Sequence, residues 1–324
     1  LESRELAVEL RGEGEMHSAL KYPHPFAGES GDYLVIPMNE GISYPVEDQS
    51  IALHRLIAYG GHGICMAFFG ATDGARSCMG ILETADDAAI KLNRADGRLL
   101  VSPEWDAQKR QFGYARKLRY VFFDQGGHVA MAKRYRAYAK AIGRFKTLEE
   151  KRKANPNVDL LLGAVNIWCW DRDAVPLVRE LQAAGIERIL WSNQQSPTNL
   201  ARLNELGVLT SRYDIYQDVM NPDNFPRLRW QHPDWTTKAW PNDIITNASG
   251  QFLKGWDVEA RDDSMISCGV ICDRRALDHA RERIPADLAT HPYRCRFIDT
   301  TTAAPWHECY AAAHPMARTE SREW

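Results

Sequence analysis

Residues 295–310, CRFIDTTTAAPWHECY, end an apolar run on one carboxylate, Asp299, and follow it with three threonines. A carboxylate at the C-terminal end of a strand, flanked by small hydroxyl residues, suits nucleophilic or general-base chemistry. The competing role is structural: Asp299 could cap the following turn through Thr301 or Thr302. Asp214 and Asp218 lie in RYDIYQDVM (212–220), where period-two alternation puts both on one face of a strand. Asp218, nearer the end, is the better candidate for binding a substrate hydroxyl. Asp214 is the better salt-bridge group.

Nine of the ten tryptophans lie at or after position 168. RWQHPDWTTKAWPND (229–243) and LKGWDVEARDD (253–263) interleave Trp with Asp, His and Lys. Sugar sites need that mixture, aromatic faces for C–H groups and carboxylates or amides for hydroxyls. The plainer role for these tryptophans is to pin down a long loop. Metal chemistry has less behind it. HExxH is absent, and NIWCW at the end of the first apolar strand lacks an HxH pair. WHECYAAAHP (306–315) offers His307, Glu308, Cys309 and His314 in no established ligand spacing, so no metal site is expected there. DVEARDD (257–263) is acidic enough for calcium, although such a run is usually a solvated loop; no other cofactor is expected. The seven cysteines include no CxxC pair, which leaves out a zinc knuckle or thioredoxin motif of that kind.

These residues must be positioned by the elements around them. Residues 1–145 read as a β-rich domain. Short alternating runs lie at 32–38, 51–59, 64–71, 77–84, 88–93, 98–102 and 117–123, and RADGR (94–98) carries an Asp-Gly hairpin signal. Their regular spacing predicts a sandwich. GGHG (60–63) joins two strands as a turn. FFDQGGHVAMAKRYRAYAKAIG (122–143) runs strand, glycines, helix without GxGxxG or P-loop spacing. The charged stretch KTLEEKRKANPN (146–157) is the expected linker.

From 158 to 324 strand and helix alternate. VDLLLGAVNIW (158–168), ERILWS (187–192), RYDIYQDVM and YRCRFID (293–299) are the predicted strands. Helices are predicted at 173–186, 196–208 and 273–288, and 221–272 shows little regular pattern. Continuous apolar strands imply a parallel sheet covered by helices. No glycine-rich fingerprint follows the first strand, which argues against a dinucleotide fold. The strand ends carry Asn166, Trp168 and Trp170, then Trp191, Ser192 and Asn193, then Tyr216 and Asp218, then Asp299. That is where a (β/α)8 TIM barrel keeps its chemistry, and four βα units make the first half of one.

The 324 residues suit two domains, and 44% hydrophobic with 26% charged residues is an ordinary globular composition. A net charge of −3 gives no footprint for nucleic acid or an anionic membrane, and no run is long enough to span a bilayer. The chain starts at Leu1 and stops at Trp324 in what reads as the start of a helix. It is read as a fragment open at both ends, with compartment and oligomeric state left open.

Together GAVNIWCWD, ILWSNQ, YDIYQDV and FIDTTTA…ECY…HPMARTES resemble glycoside hydrolase family 129, related to family 101. The resemblance covers most of the chain from about 30 onward and is strongest in 160–324. It implies a galactose-mutarotase-like β-sandwich ahead of a (β/α)8 barrel. It also implies retaining α-N-acetylgalactosaminidase activity on mucin-type O-glycans, a carbohydrate or glycoprotein partner. The family's nucleophile ends the fourth barrel strand and corresponds to Asp299. Its acid/base Glu ends the fifth strand, one βα unit later, and is expected beyond Trp324. Glu308 and Glu320 are not assigned that role. Asp218 and Tyr216 are expected to hold ring hydroxyls, and Trp168, Trp191 and Trp256 to form apolar walls. The rivals are an α-galactosidase-like barrel, whose acid comes from the sixth strand, a non-catalytic sugar-binding paralogue and a metal-dependent hydrolase.

Overall fold

Alternating apolar residues dominate the first third of the chain, and in the computed structural model they form two antiparallel sheets. The structure describes residues 4–25, 28–60, 63–301 and 303–324. The strands of the first region are β1 (Glu5–Leu10), β2 (Leu20–Lys21), β3 (Tyr33–Ile36), β4 (Ile42–Pro45), β5 (Arg55–Ile57) and β6 (Phe68–Thr72), then β7 (Ser77–Leu82), β8 (Ala88–Ala95), β9 (Arg98–Trp105) and β10 (Arg116–Phe123). One sheet runs β1-β10-β7-β6-β3-β4 and the other β2-β9-β8-β5. Leu34, Ile36, Leu82 and Leu118 of the first share one core with Leu56, Ile90, Leu92 and Leu99 of the second. This is a sandwich, with the inward-facing residue of each pleat buried.

Asp96 and Gly97 turn β8 into β9 with φ of 49° and 76°. Two successive positive φ angles match the strand twist of a hairpin, which is why Asp-Gly stands there. Helix α1 (Gly127–Ala141) covers the outer face of the larger sheet, burying Met131 and Tyr135 against Phe68, Met79 and Val121. GGHG falls partly on residues 61–62, outside the described residues.

The chain forms two compact units. The first takes in residues up to Phe145 together with 303–308 and Met316–Trp324; the second runs Lys146–Thr301 and adds Cys309–Pro315. Ion pairs hold the late segment in the first unit. Arg318 reaches the buried Asp87 at 2.7 Å, and Arg322 reaches Asp86 at 2.6 Å. Asp87 also accepts from the Tyr114 hydroxyl at 2.6 Å.

In the second unit the linker stretch is itself helical. Helix α2 (Leu148–Ala154) opens with a capping box in which Thr147 and Glu150 satisfy each other's backbone N–H. VDLLL is not strand but helix: α3 covers Asn157–Leu161, and β11 (Val165–Ile167) starts only after Gly163 at φ 72°. A short apolar run does not distinguish the two by periodicity. Then come α4 (Val175–Ala183), β12 (Ile189–Trp191), α5 (Pro197–Glu205) and β13 (Leu209–Ile215). The chain next forms β14 (Asp218–Val219), β15 (Lys254–Glu259), β16 (Met265–Val270), α6 (Asp273–Leu288) and β17 (Cys295–Asp299). A short α7 (Arg318–Glu323) follows in the first unit.

The parallel sheet runs β11-β12-β13-β17, each strand added beside the last without reversal. There is thus no topological switch point of the doubly wound kind among the described strands. They form an open α/β sheet, and barrel closure is not seen among them. The stretch 221–272 has more order than its sequence suggests. It forms two 3-10 turns and, with β14 just before it, an antiparallel sheet, β14-β16-β15, around a core of Val219, Met220, Trp235, Ile244 and Ile271. Among the described residues no helix is long and apolar enough to cross a membrane.

Candidate active site

Hydrogen bonds between loops fix the C-terminal ends of the parallel strands. Ser192 donates to Asn166 Oδ1 at 2.6 Å, and the Cys169 N–H donates to Asn193 Oδ1 at 2.9 Å. Gln195, buried, accepts from the Ala174 N–H and donates to the Asp171 carbonyl at 2.7 Å. These bonds tie the loop after β11 to the loop after β12 and set Trp168 and Trp170 beside a cavity of about 410 Å³. Gln194, Tyr213, His232 and Asp234 complete its polar side. The size falls within the range of small-ligand pockets. A cavity of about 600 Å³ in the first unit has Arg144 and Arg322 but no carboxylate in its described lining, so it is less suited to acid–base work.

Asp299 ends β17 beside Ile215 of β13. Its side chain is half-buried, and Oδ2 accepts the Tyr213 hydroxyl at 2.6 Å. The turn after it is built on its main chain instead. Thr300 Oγ1 and the Thr301 N–H both donate to the Asp299 carbonyl oxygen at 2.8 Å. The carboxylate therefore does not cap that turn through Thr301, and Thr302 lies outside the described residues. Thr300 holds φ at 59°, an outlier for a β-branched residue, and such strain gathers at functional sites.

Tyr213 was not singled out from the sequence, yet it links the carboxylate to the cavity. Its ring stacks on Phe297 at 5.9 Å and meets the edge of Trp168 at 6.3 Å. Burial raises its pKa, and the Asp299 hydrogen bond and charge add to that, so the phenol stays a donor. His232 lies 5.3 Å from the same ring, and its Nδ1 accepts the Asp234 N–H at 3.1 Å. That bond leaves Nε2 to carry the proton of the neutral ring. Burial lowers the His232 pKa, while Asp234 and Asp299 pull the other way.

Beneath these groups the other face of β13 carries a charged layer. Asp214 is wholly buried and meets Arg296, Arg212 at 3.1 Å and Arg283 at 3.7 Å. Asp287 of α6 bridges Arg212 at 2.8 Å and Arg296 at 3.2 Å. Arg212 also reaches Asp234 at 2.5 Å and so connects the layer to the cavity wall. Burial raises the Asp234 pKa despite Arg212, His232 and Arg283. Burial works against the Arg212 charge, but Asp234, Asp287 and Asp214 together raise its pKa.

The other expected site residues divide. Trp168 lines the cavity. Trp191 does not: with Ile189 it points into the core made with Val178 and Leu203 and is fully buried. Tyr216 lies under the Arg283 guanidinium, 4.9 Å from its ring centroid, with its hydroxyl 3.3 Å from Asp214. Asp218 does not share a strand face with Asp214, because β13 stops at Ile215 and Asp218 begins β14 in another sheet. There its Oδ1 accepts the Trp256 N–H at 3.4 Å, and Gly255 makes that approach possible: a Cβ would sit 2.3 Å from the same oxygen. Trp256 is exposed and does not line the cavity. Of the loop tryptophans, Trp235 and Trp240 pack into the core of 221–272, whereas Trp170 and Trp230 are exposed.

Glu308 accepts the Lys109 N–H at 2.5 Å and pairs with Arg318, and Glu320 accepts the Ala317 N–H at 2.7 Å. The carboxylates of 257–263 are engaged locally, Asp257 by Ser267, Asp262 by Ser264, and Glu259 and Asp263 by Arg229. They are not gathered into a calcium cage among the described residues.

No family model matches the chain, and no protein of curated function matches its sequence. Solved structures do match. The ligand-free α-N-acetylgalactosaminidase NagBb from Bifidobacterium bifidum superposes with a TM-score of 0.77 at 19% identity, over 99% of this chain and 60% of that one. Its complex with GalNAc matches at the same score and identity, over 59% of that chain. A family 36 α-galactosidase, AgaA from Geobacillus stearothermophilus in complex with stachyose, matches at TM-score 0.50 and 11% identity, over 94% of this chain and 45% of that one. The chain thus spans about 60% of the length of NagBb. At these identities the likeness is one of fold: a mostly β-sheet domain joined to a partial α/β region, the arrangement seen in these glycoside hydrolases.

Proposed function

We propose that this protein belongs to a retaining glycoside hydrolase acting on α-linked GalNAc or a related galacto-configured sugar of O-glycans, with Asp299 as nucleophile. The observation that carries this reading is the Asp299 carboxylate: it accepts the hydroxyl of Tyr213, which lines an aromatic cavity, while the following turn takes only its backbone oxygen. The fold likeness to an α-N-acetylgalactosaminidase supports the choice of sugar over the more distant α-galactosidase.

In this reading a carboxylate oxygen of Asp299 attacks the anomeric carbon as the glycosidic C–O bond breaks, and water later hydrolyses the glycosyl ester. A second carboxyl, ~5–5.5 Å from the first, protonates the leaving oxygen and then activates the water. That group is a Glu ending a fifth strand of a (β/α)8 barrel, and no described carboxylate is assigned to it. Trp168 and Trp170 face the apolar side of the ring. Gln194, His232 and Asp234 bind hydroxyls, and Asp218 with the adjacent Trp256 takes a further part of the substrate.

The test is para-nitrophenol release from the α-GalNAc glycoside, with α-galactoside and β-GalNAc controls, by protein expressed from its complete gene. Release from the α-GalNAc glycoside alone, reduced about a thousandfold or more in Asp299→Asn, is the expected result. Unchanged rates in the variant would remove Asp299 from the mechanism. A preference for the α-galactoside would replace the sugar and keep the residue.

A further inference from the structure

Three side chains outside the lining of the cavity make a second constellation. Cys272, Cys309 and His314 each offer one ligand atom, and these atoms all lie within 4.8 Å of one another. All three residues are buried, the cysteines completely. Cys272 immediately precedes α6, while Cys309 and His314 lie on the segment Cys309–Pro315 of the same unit. Cys309 Sγ is 3.3 Å from His314 Nδ1. Zinc–sulfur and zinc–nitrogen bonds of ~2.3 and ~2.05 Å at a tetrahedral angle put S and N about 3.5 Å apart, so the spacing needs little adjustment.

The imidazole is already turned for coordination. His314 Nε2 lies 2.8 Å from the Asn242 carbonyl oxygen, which can only accept. That nitrogen therefore carries the proton, and the lone pair of Nδ1 faces the sulfurs. A ring fixed by a carbonyl behind it is the arrangement that orients metal-bound histidines. The sulfurs are prepared as well. Cys309 accepts backbone N–H groups of Thr246 and Ala311, and Cys272 accepts that of Arg274.

We propose that Cys272, Cys309 and His314 bind a zinc ion that fastens the 309–315 segment to the start of α6. Two thiolates and one neutral imidazole balance the dication and match its ligand preference, while a site without carboxylates does not suit calcium or magnesium. The His314 carbonyl oxygen also lies 3.8 Å from Cys272 Sγ. A disulfide between the cysteines would leave the Nδ1 lone pair buried against two sulfurs with no proton to give. Zinc satisfies the nitrogen and both sulfurs at once. The role is structural, because α6 also supplies Arg283 and Asp287 to the charged layer behind Asp299. CxxxxH alone gave no expectation of a metal: the third ligand lies 37 residues earlier in sequence, beyond any local spacing rule.

The test is metal analysis of protein purified without chelator, together with titration of metal-free protein by Co²⁺. About one zinc per chain, and the intense visible bands of tetrahedral thiolate-bound cobalt, are expected for wild type. Cys309→Ser and His314→Ala should each lose zinc at least tenfold and weaken the cobalt bands. If a variant fails to fold, the wild-type zinc content and cobalt spectrum still decide. Absence of zinc together with no cobalt spectrum would overturn the proposal. So would a disulfide, seen as equal thiol counts, without reductant and in denaturant, for wild type and the Cys272→Ser/Cys309→Ser double variant.

Discussion

Tyr213 and His232 show how single side chains on the cavity wall are held in the form the proposed chemistry needs. Both are partly buried among carboxylates, and burial pushes each towards its neutral state. For His232 this has a measurable consequence. Its folded value lies below the unfolded value of 6.5, so between the two the unfolded chain binds more protons. His232 therefore contributes stability that is complete above about pH 6.5 and lost as pH falls through the lower folded value. The urea midpoint of His232→Gln should fall less than that of wild type between about pH 7 and 5. Identical pH dependence in the two proteins would show that His232 is not held neutral. Little of this was legible residue by residue. Asp299 stood out because strand-end position and flanking threonines are local properties. Tyr213 did not, because its importance lies in a partner 86 residues away. Trp191 was misread because its strand alternates it into the helix-covered core with Ile189, and a strand end alone does not say which face a side chain takes.

Strand β13 is the element on which the site depends. Its alternation sends Tyr213 towards Asp299 and sends Arg212 and Asp214 towards α6. A buried carboxylate among three guanidiniums is costly to disturb, since its removal leaves cations without their counter-charge. Asp214→Ala should destabilise the protein by about 3–5 kcal/mol in urea unfolding. Asp278→Ala, at an exposed surface pair, should change stability by less than about 0.5 kcal/mol. Similar values for the two would mean that the buried layer is not what joins α6 to the sheet. The 3.6-residue pattern made α4, α5 and α6 readable, and for α5 a cap adds to it, Ser196 accepting the Asn199 N–H. The antiparallel sheet of β14, β15 and β16 was not readable. Its strands β14 and β16 pair across some 50 residues, and its core takes in Trp235 and, at its edge, Trp240, which look like surface groups in sequence.

Across the whole molecule, the division into a sandwich and an α/β region follows a change of texture near residue 145 that composition and periodicity make visible. The return of 303–308 and Met316–Trp324 to the first unit was not visible, because it rests on pairs such as Arg318 with Asp87, 231 residues apart. The fold is shared with glycoside hydrolases, but activity belongs to the site, and the proposed function requires a carboxylate oxygen of Asp299 to form a covalent glycosyl ester. The most direct measurement is trapping: protein expressed from its complete gene is incubated with a fluorinated α-galactosaminyl fluoride, digested, and its peptides mapped by mass spectrometry. A glycosyl adduct on Asp299, absent after competition with free GalNAc, is the expected result. An adduct on another carboxylate, or hydrolysis of the reagent with inversion and no adduct, would contradict the assignment.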